Sequence, residues 1–435
     1  RSSPRVSTAG GADAGALVRN QDDDSFVQEI RLRYDDGGPF RALIGAYYGT
    51  FDNQSVDSFF IPTSFVSPRL PPGTVFQDRT FSTQEENIAI FGEIEWDVID
   101  AVTLILGARY DDESRDFTAL STTTSDPQLP PGFLPLDELI ENSTSYDAFL
   151  PKFGVRFNLS DYVTLGATVQ RAYRAGGTDV AIVSGEINEF DPEYTWNYEM
   201  SVRAQTPDNS FAVQGNVFYT KWTDQIVEQI TLFGQTNGVP IDTLAVNAGE
   251  SEVYGFELSM EARPSRTLDT FLSLGYVHTE FTDFVTATGE LAGNRFNNAS
   301  PFTVSAGFDW EHPTGFRVLG DVNLRDGFFS VIDNDTARIT TEPILGPGGA
   351  VVGQFERCDL SPCNDPRTRV EAAVVVNLRA GYEAETWSIY AFARNLLDED
   401  YITQRNAPNN FSPLGLVRTG EPRVLGVEFN VSFGG

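Results

Sequence analysis

The side chains that could do chemistry in this chain are few, and their types are telling. Two cysteines, Cys358 and Cys363, sit in "ERCDLSPCND" with a proline between them. With no other cysteine to compete, this short loop is expected to close as a local disulfide in an oxidising compartment; two free thiols are the alternative. Two sulfurs without a nearby histidine are too few ligands for a metal. Of the two histidines, His312 falls in a turn and His278 on the apolar parity of a strand, so both read as interfacial or solvated, not as axial ligands. Serines are plentiful, but no nucleophile elbow accompanies them. What remains is arginine. Arg109, Arg174 and Arg325 carry planar forks suited to bidentate, charge-assisted contacts with anions. The chemistry on offer is therefore recognition, with no covalent step and no cofactor implied.

The elements that must hold these side chains show one period throughout. In "GEPRVLGVEFNVSFGG", Leu425, Val427, Phe429, Val431 and Phe433 share one parity, and Val424, Gly426, Glu428, Asn430 and Ser432 the other. A strand sends alternate side chains to opposite faces, so one face is greasy and the other polar. The same test succeeds in "YTWNYEMSVR", "PFTVSAGFDWE", "FRVLGDVNLR" and "RVEAAVVVNLRAGY". Fifteen such strands are expected, near 25 to 34, 40 to 51, 84 to 97, 101 to 112, 146 to 159, 162 to 174, 194 to 206, 211 to 226, 246 to 262, 267 to 280, 301 to 311, 315 to 328, 368 to 382, 387 to 396 and 422 to 433.

Their connections alternate. Short turns such as "DDGGP", "PDNS", "PSR" and "HPTG" follow odd strands, while long segments such as 113 to 145, 281 to 300, 329 to 367 and 397 to 421 follow even ones. Brief turns at one end and long loops at the other mark a transmembrane β-barrel of the outer membrane. Tyr110, Tyr194, Trp196, Tyr219, Trp222, Trp310, Phe316 and Trp387 lie near strand ends, where interfacial aromatic belts belong. The fold class is thus all-β, an antiparallel barrel with its apolar parity in lipid and its polar parity in a lumen. A soluble sandwich would supply the alternation but not the strand length.

Composition agrees. No run approaches the roughly 18 apolar residues of a membrane helix, so a spanning chain must use a closed barrel. Mean hydropathy is -0.23, as alternating strands require, and the net charge of -32 argues against nucleic acid as a partner. An odd strand number would leave a parallel seam on closure, whereas bacterial single-chain barrels have an even number. Residues 1 to 24, with "QDDDS", accordingly read as the remnant of an outside loop, 25 to 433 as a partial barrel, and 434 to 435 as a tail.

Orientation then follows for the charges. Arg109, Arg174 and Arg325 are expected inside near the outer mouth, and Arg156, Arg203, Arg317 and Arg379 lower down, among Glu93, Glu95, Glu199, Glu257, Glu261, Asp309 and Glu371. The plain reading is mutual pairing in an interior that has to be polar; the functional one assigns the upper arginines to an anionic ligand. The runs "DNDT" (333 to 336) and "DEDY" (398 to 401) could hold calcium or bridge lipopolysaccharide through divalent ions, but solvated acidic loops are the ordinary outcome.

Several segments, taken in order, resemble TonB-dependent outer-membrane receptors. The pair "ARNLLDEDY" (Asn395, Leu396, Asp398, Tyr401) and "GEPRVLGVEF" (Pro422, Arg423) is similar to the family's closing strands. "QRAYRAGGTD" matches through Tyr173, Arg174 and Ala175, with Gly176 where the family usually has proline. "DPEYTWNYEMSVR" matches through Pro192, Glu193, Tyr198 and Glu199, and "NAGESEVYGFELSME" through Asn247, Gly249, Gly255, Glu257 and Leu258. Phe433 resembles the terminal aromatic read by the barrel-assembly machinery, although Gly434 and Gly435 follow it. The resemblance implies a barrel of 22 strands around an N-terminal plug, of which this chain holds about 15, without the plug or the TonB-contacting box.

It also implies a function: uptake of a scarce ligand, most often an iron chelate such as a ferric siderophore, energised by the TonB complex. A passive porin, a soluble or adhesive β-rich binding module, and uptake of cobalamin, a saccharide or an aromatic compound stay open on the residues alone. Lipid and lipopolysaccharide would be its surroundings.

Overall fold

The computed structural model describes residues 5–8, 16–60, 75–123, 139–180, 187–230, 243–286, 289–332, 339–345, 351–358, 369–405 and 417–432. Cys363, Phe433, residues 434–435 and the run 333–336 lie outside them, as does the side chain of Cys358, so the expected disulfide and assembly signal fall there too.

One sheet organises the chain. Its strands are β1 (Arg5–Thr8), β2 (Ala16–Asp35), β3 (Phe40–Phe60), β4 (Val75–Ile99), β5 (Val102–Thr123), β6 (Leu139–Ser160), β7 (Val163–Arg174), β8 (Glu193–Gln205), β9 (Phe211–Thr223), β10 (Glu250–Ser265), β11 (Leu268–Asp283), β12 (Phe302–Glu311), β13 (Phe316–Arg325), β14 (Ala373–Glu383), β15 (Trp387–Arg394) and β16 (Val424–Val431). They follow one another in chain order, each antiparallel to the next. All fifteen expected strands are present, and β1 adds a short pairing at one edge.

The two parities separate as the alternation requires. Leu425, Val427 and Phe429 are 70%, 71% and 63% exposed, while Glu428 on the opposite face reaches Arg379. Among the described residues no hydrophobic centre lies behind the apolar face. The one buried apolar cluster among the described residues, Ala248, Phe281, Phe284 and Leu291, sits at the long-loop end, where β11 finishes and its loop folds back. A sandwich would have enclosed Val427 and its neighbours. Aromatic belts mark both ends: Phe40 stacks on Trp96, and Phe316, Tyr382, Trp387 and Phe429 run edge to edge near the short turns; Tyr198 with Tyr219 and Tyr254 with His278 do so near the long loops. His278 is therefore an interfacial ring, and His312 sits in the turn after β12, beside Trp310.

Two features exceed what alternation announced. Strands β2 to β6 run 20 to 25 residues, where about 9–11 cross a bilayer. β2 begins at Ala16, not near residue 25, so part of the segment assigned to a loop is strand, including Asp22, Asp23 and Asp24. By contrast β12 and β13 have 10 residues each. The long connections also fold: hairpins Gly177–Val180 with Ile187–Phe190, Ile226–Ile230 with Thr243–Asn247, and Ile402–Arg405 with Val417–Thr419 rise from the same end of the sheet.

Candidate functional site

The polar face carries charge in connected groups. Near the short turns, the Arg41 guanidinium donates to both oxygens of Asp97 at 2.7 Å and to Glu95 at 3.1 Å. Arg156 shares Glu95 at 3.0 Å, and Lys152 meets Glu93 at 2.8 Å. A second group joins Arg317 to Asp309 and to Glu383, which accepts the Tyr390 hydroxyl; Arg379 lies 3.8 Å over the Tyr390 ring and meets Glu428 at 3.1 Å. Each bridges strands, so these pairs brace the wall from within. Being half-exposed, each contributes modestly to stability.

Toward the long-loop end the charges are more deeply set. Arg109 donates Nε and NH2 to the two oxygens of Asp111 at 2.6 Å each, and its guanidinium packs against the rings of Tyr47 and Phe91. Asn87 donates to Asp111 at 3.4 Å and to Glu113 at 3.2 Å, and the Tyr173 hydroxyl donates to Glu113 at 3.1 Å. Arg115 meets Glu113 at 2.8 Å and Glu85 at 3.0 Å, then reaches the Gly176 carbonyl at 3.1 Å. Asp111, Glu113 and Asn87 are 3%, 6% and 8% exposed, so carboxylates without these donors would be costly. Asp111, Glu113 and Arg115 were not singled out from sequence, yet they follow Arg109 at every second position of one strand and so share its face.

Arg174 is tied as well. Its Nε meets Glu193 at 2.8 Å and an NH2 group donates to the Ile226 carbonyl at 3.3 Å, while Glu193 accepts the Ile226 N–H at 2.6 Å. Arg325 differs: its NH2 donates to the carbonyls of Ile402 at 2.9 Å and Glu371 at 3.4 Å, and the guanidinium lies 4.7 Å from the Phe328 ring centre. The three upper arginines thus stand on three separate strands. Arg109 connects through Asp111, Asn87, Glu113 and Arg115 to Gly176, two residues from Arg174, whereas Arg325 stands apart. Glu199, Glu257 and Arg203 make no ion pair among the described residues.

Residues of the sequence resemblance turn out to hold the rim together. Asn395, at φ 46°, accepts the Glu399 N–H and donates to the carbonyls of Glu399 and Glu421. Asp398 accepts the Arg423 N–H and pairs with its guanidinium at 3.0 Å, clipping the end of β15 to the approach of β16. Asn247 accepts the Asp191 N–H and donates to the carbonyls of Asp191 and Asp224. Gly176 permits a close approach, since a Cβ there would lie 2.2 Å from the Phe190 carbonyl oxygen. "DEDY" is thereby engaged in part, with Asp398 committed to Arg423 and no three-carboxylate metal cluster among the described residues.

Known proteins share this architecture. The chain superimposes on the ferric yersiniabactin uptake receptor FyuA of Yersinia pestis with a TM-score of 0.74 at 17% identity, over 99% of this chain and 57% of that one. It matches the siderophore receptor PiuA of Acinetobacter baumannii at 0.63 and 14%, over 96% and 56%, and the ferripyoverdine receptor of Pseudomonas aeruginosa at 0.60 and 12%, over 98% and 51%. This chain thus spans just over half the length of those receptors. At such identities the likeness shows the fold. The family profile described as TonB dependent receptor-like, beta-barrel, matches residues 2–396, so the chain belongs to the TonB-dependent receptors, transport proteins of the outer membrane, and supplies β-barrel strands of one.

Proposed function

We propose that this chain is the C-terminal barrel portion of a receptor for energised uptake of a scarce anionic ligand, an iron chelate of the ferric siderophore class. The observation that carries the reading is a polar lumen wall whose mouth bears arginine, on a barrel of the TonB-dependent family whose structural neighbours include receptors for ferric yersiniabactin and ferripyoverdine. Arg109, Arg174 and Arg325 are the mouth candidates. A ligand acting on Arg109 or Arg174 competes with Asp111 or Glu193; one acting on Arg325 does not.

The same reading gives the barrel its partners. A plug domain fills the lumen against free carboxylates such as Glu199 and Glu257, the TonB complex acts through that plug, and lipid with lipopolysaccharide surrounds the apolar face. Phe433 addresses the barrel-assembly machinery, and Cys358 with Cys363 closes a loop disulfide outside the cytoplasm. Deleting the gene and supplying ferric chelates one at a time as sole iron source tests it. Growth should fail on at least one chelate and return with the intact gene, and a protonophore should abolish uptake. Unchanged growth on every chelate, or uptake indifferent to the protonophore, would refute the proposal.

A further inference from the structure

Along the polar wall between β10 and β14 runs a groove of about 530 Å³, with Arg325 at its rim. Asn323, Thr303 and Ser305 line its wall, Glu257 stands at the far side on β10 with Gly275 and Thr303 between it and Arg325, and Tyr401 with Thr403 reach over it from the hairpin after β15. That overhang is built, not incidental. Asn395 fixes the carbonyl and N–H of Glu399, the Gly420 N–H donates to the Tyr401 carbonyl at 2.8 Å, and a Cβ at Gly420 would meet the Tyr401 ring at 1.9 Å. Arg325 itself ties the hairpin down through the Ile402 carbonyl.

This arginine is held but not neutralised. Among the described residues its NH2 is bound by carbonyl oxygens, its Nε and NH1 make no hydrogen bond, and no carboxylate lies within ion-pair distance. Arg109 and Arg174 spend their forks on Asp111 and Glu193. Arg203 also lacks an acid, but it sits near the short turn after β8, away from the mouth. A guanidinium flanked by a ring and two carbonyls, at the edge of a groove rich in hydroxyls, has donors left over for a planar oxyanion.

We propose that Arg325 is the ligand-reading arginine of this barrel: it takes a carboxylate of the anionic ligand, while the hydroxyls of Tyr401 and Thr303 take neighbouring ligand oxygens. This rests on the receptor reading above and narrows it to carboxylate-bearing chelates. Arg325 selects for charge; the hydroxyl wall tolerates varied oxygen placement.

The test uses the full-length receptor in detergent, titrated with ferric citrate and with a neutral ferric trihydroxamate while tryptophan fluorescence is followed. Arg325→Gln keeps an N–H for the Ile402 carbonyl but removes the charge, and should weaken ferric citrate binding about ten-fold or more, leaving the neutral chelate within about two-fold. Arg325→Lys should fall between. Undiminished ferric citrate binding by Arg325→Gln overturns the assignment, as does an equal loss for both chelates, which would mark a merely structural arginine; in either case the receptor reading stands, because the native protein binds a chelate. A native receptor that takes the neutral chelate but not ferric citrate overturns it too. Binding of neither by the native protein counts against the receptor reading itself, and the inference falls with it.

Discussion

Arg109 closes on Asp111 with two parallel N–H···O contacts of 2.6 Å, although the two residues belong to the same strand, two positions apart. Asp111 is 3% exposed, so the two arginine N–H groups replace the water its carboxylate has lost. Removing the cation strands the acid. We expect Arg109→Ala to lower stability by about 2 kcal/mol, and Arg109→Leu combined with Asp111→Leu to recover most of that. Urea unfolding from detergent micelles measures both; a single substitution that costs nothing would show the pair to be decorative.

The apolar parity of β16 makes a sharper demand. Val427 faces lipid in mid-strand and Asn430 faces the lumen. An arginine at 427 should cost about 2–4 kcal/mol, while one at 430 should cost little. Equal effects at both positions in unfolding from lipid vesicles would contradict the assignment of faces.

Asn395 adopts a left-handed backbone and fastens Glu399 and Glu421 through its side chain. Asn395→Ala loses those bonds and adds strain, for an expected cost of about 2–3 kcal/mol. Asn395→Gly relieves only the strain and should lie between. Heat-dependent mobility of the folded barrel on electrophoresis ranks the three, and the proposal fails if alanine and glycine are equally tolerated.

In the turn after β8, Asp208 accepts bonds from Thr206 and from the Ser210 N–H and hydroxyl, which hold its carboxyl down at about 2. A carboxylate depressed in the folded state stabilises above its unfolded value and loses that contribution as pH falls through the folded one. The turn should therefore persist at pH 3 and loosen only near pH 2. Carboxyl carbon shifts in NMR would report it; an Asp208 that protonates near pH 4 would disprove the turn's role.

How much of this was legible in the residues varies with the physics. The fifteen strands were, because lipid on one side and water on the other imposes a period of two, and turns such as that around Gly315, at φ +97°, announce themselves. The heights of β2 to β6 were not: at Asp22, Asp23 and Asp24 both faces meet water, and no period survives to be read. Arg109 was placed on the polar face by parity, and Asp111 could have been named beside it. Arg174 with Glu193 required the register of β7 against β8, which only folding supplies. That Arg325 lacks an acid depends on how the hairpin at Ile402 lies, and no spacing encodes it.

The unequal strand lengths have a last consequence, for the rim. At about 3.3 Å per residue along the strand, β4 with its 25 residues is roughly 80 Å long, and β13 with its 10 roughly 33 Å. The tall flank is a parapet, stiffened by continuous backbone pairing, that screens the opening from one side. On the short flank the chain is finished by separate hairpins, such as Ile402–Arg405 with Val417–Thr419, so the rim beside Arg325 is jointed where the tall rim is one continuous ladder.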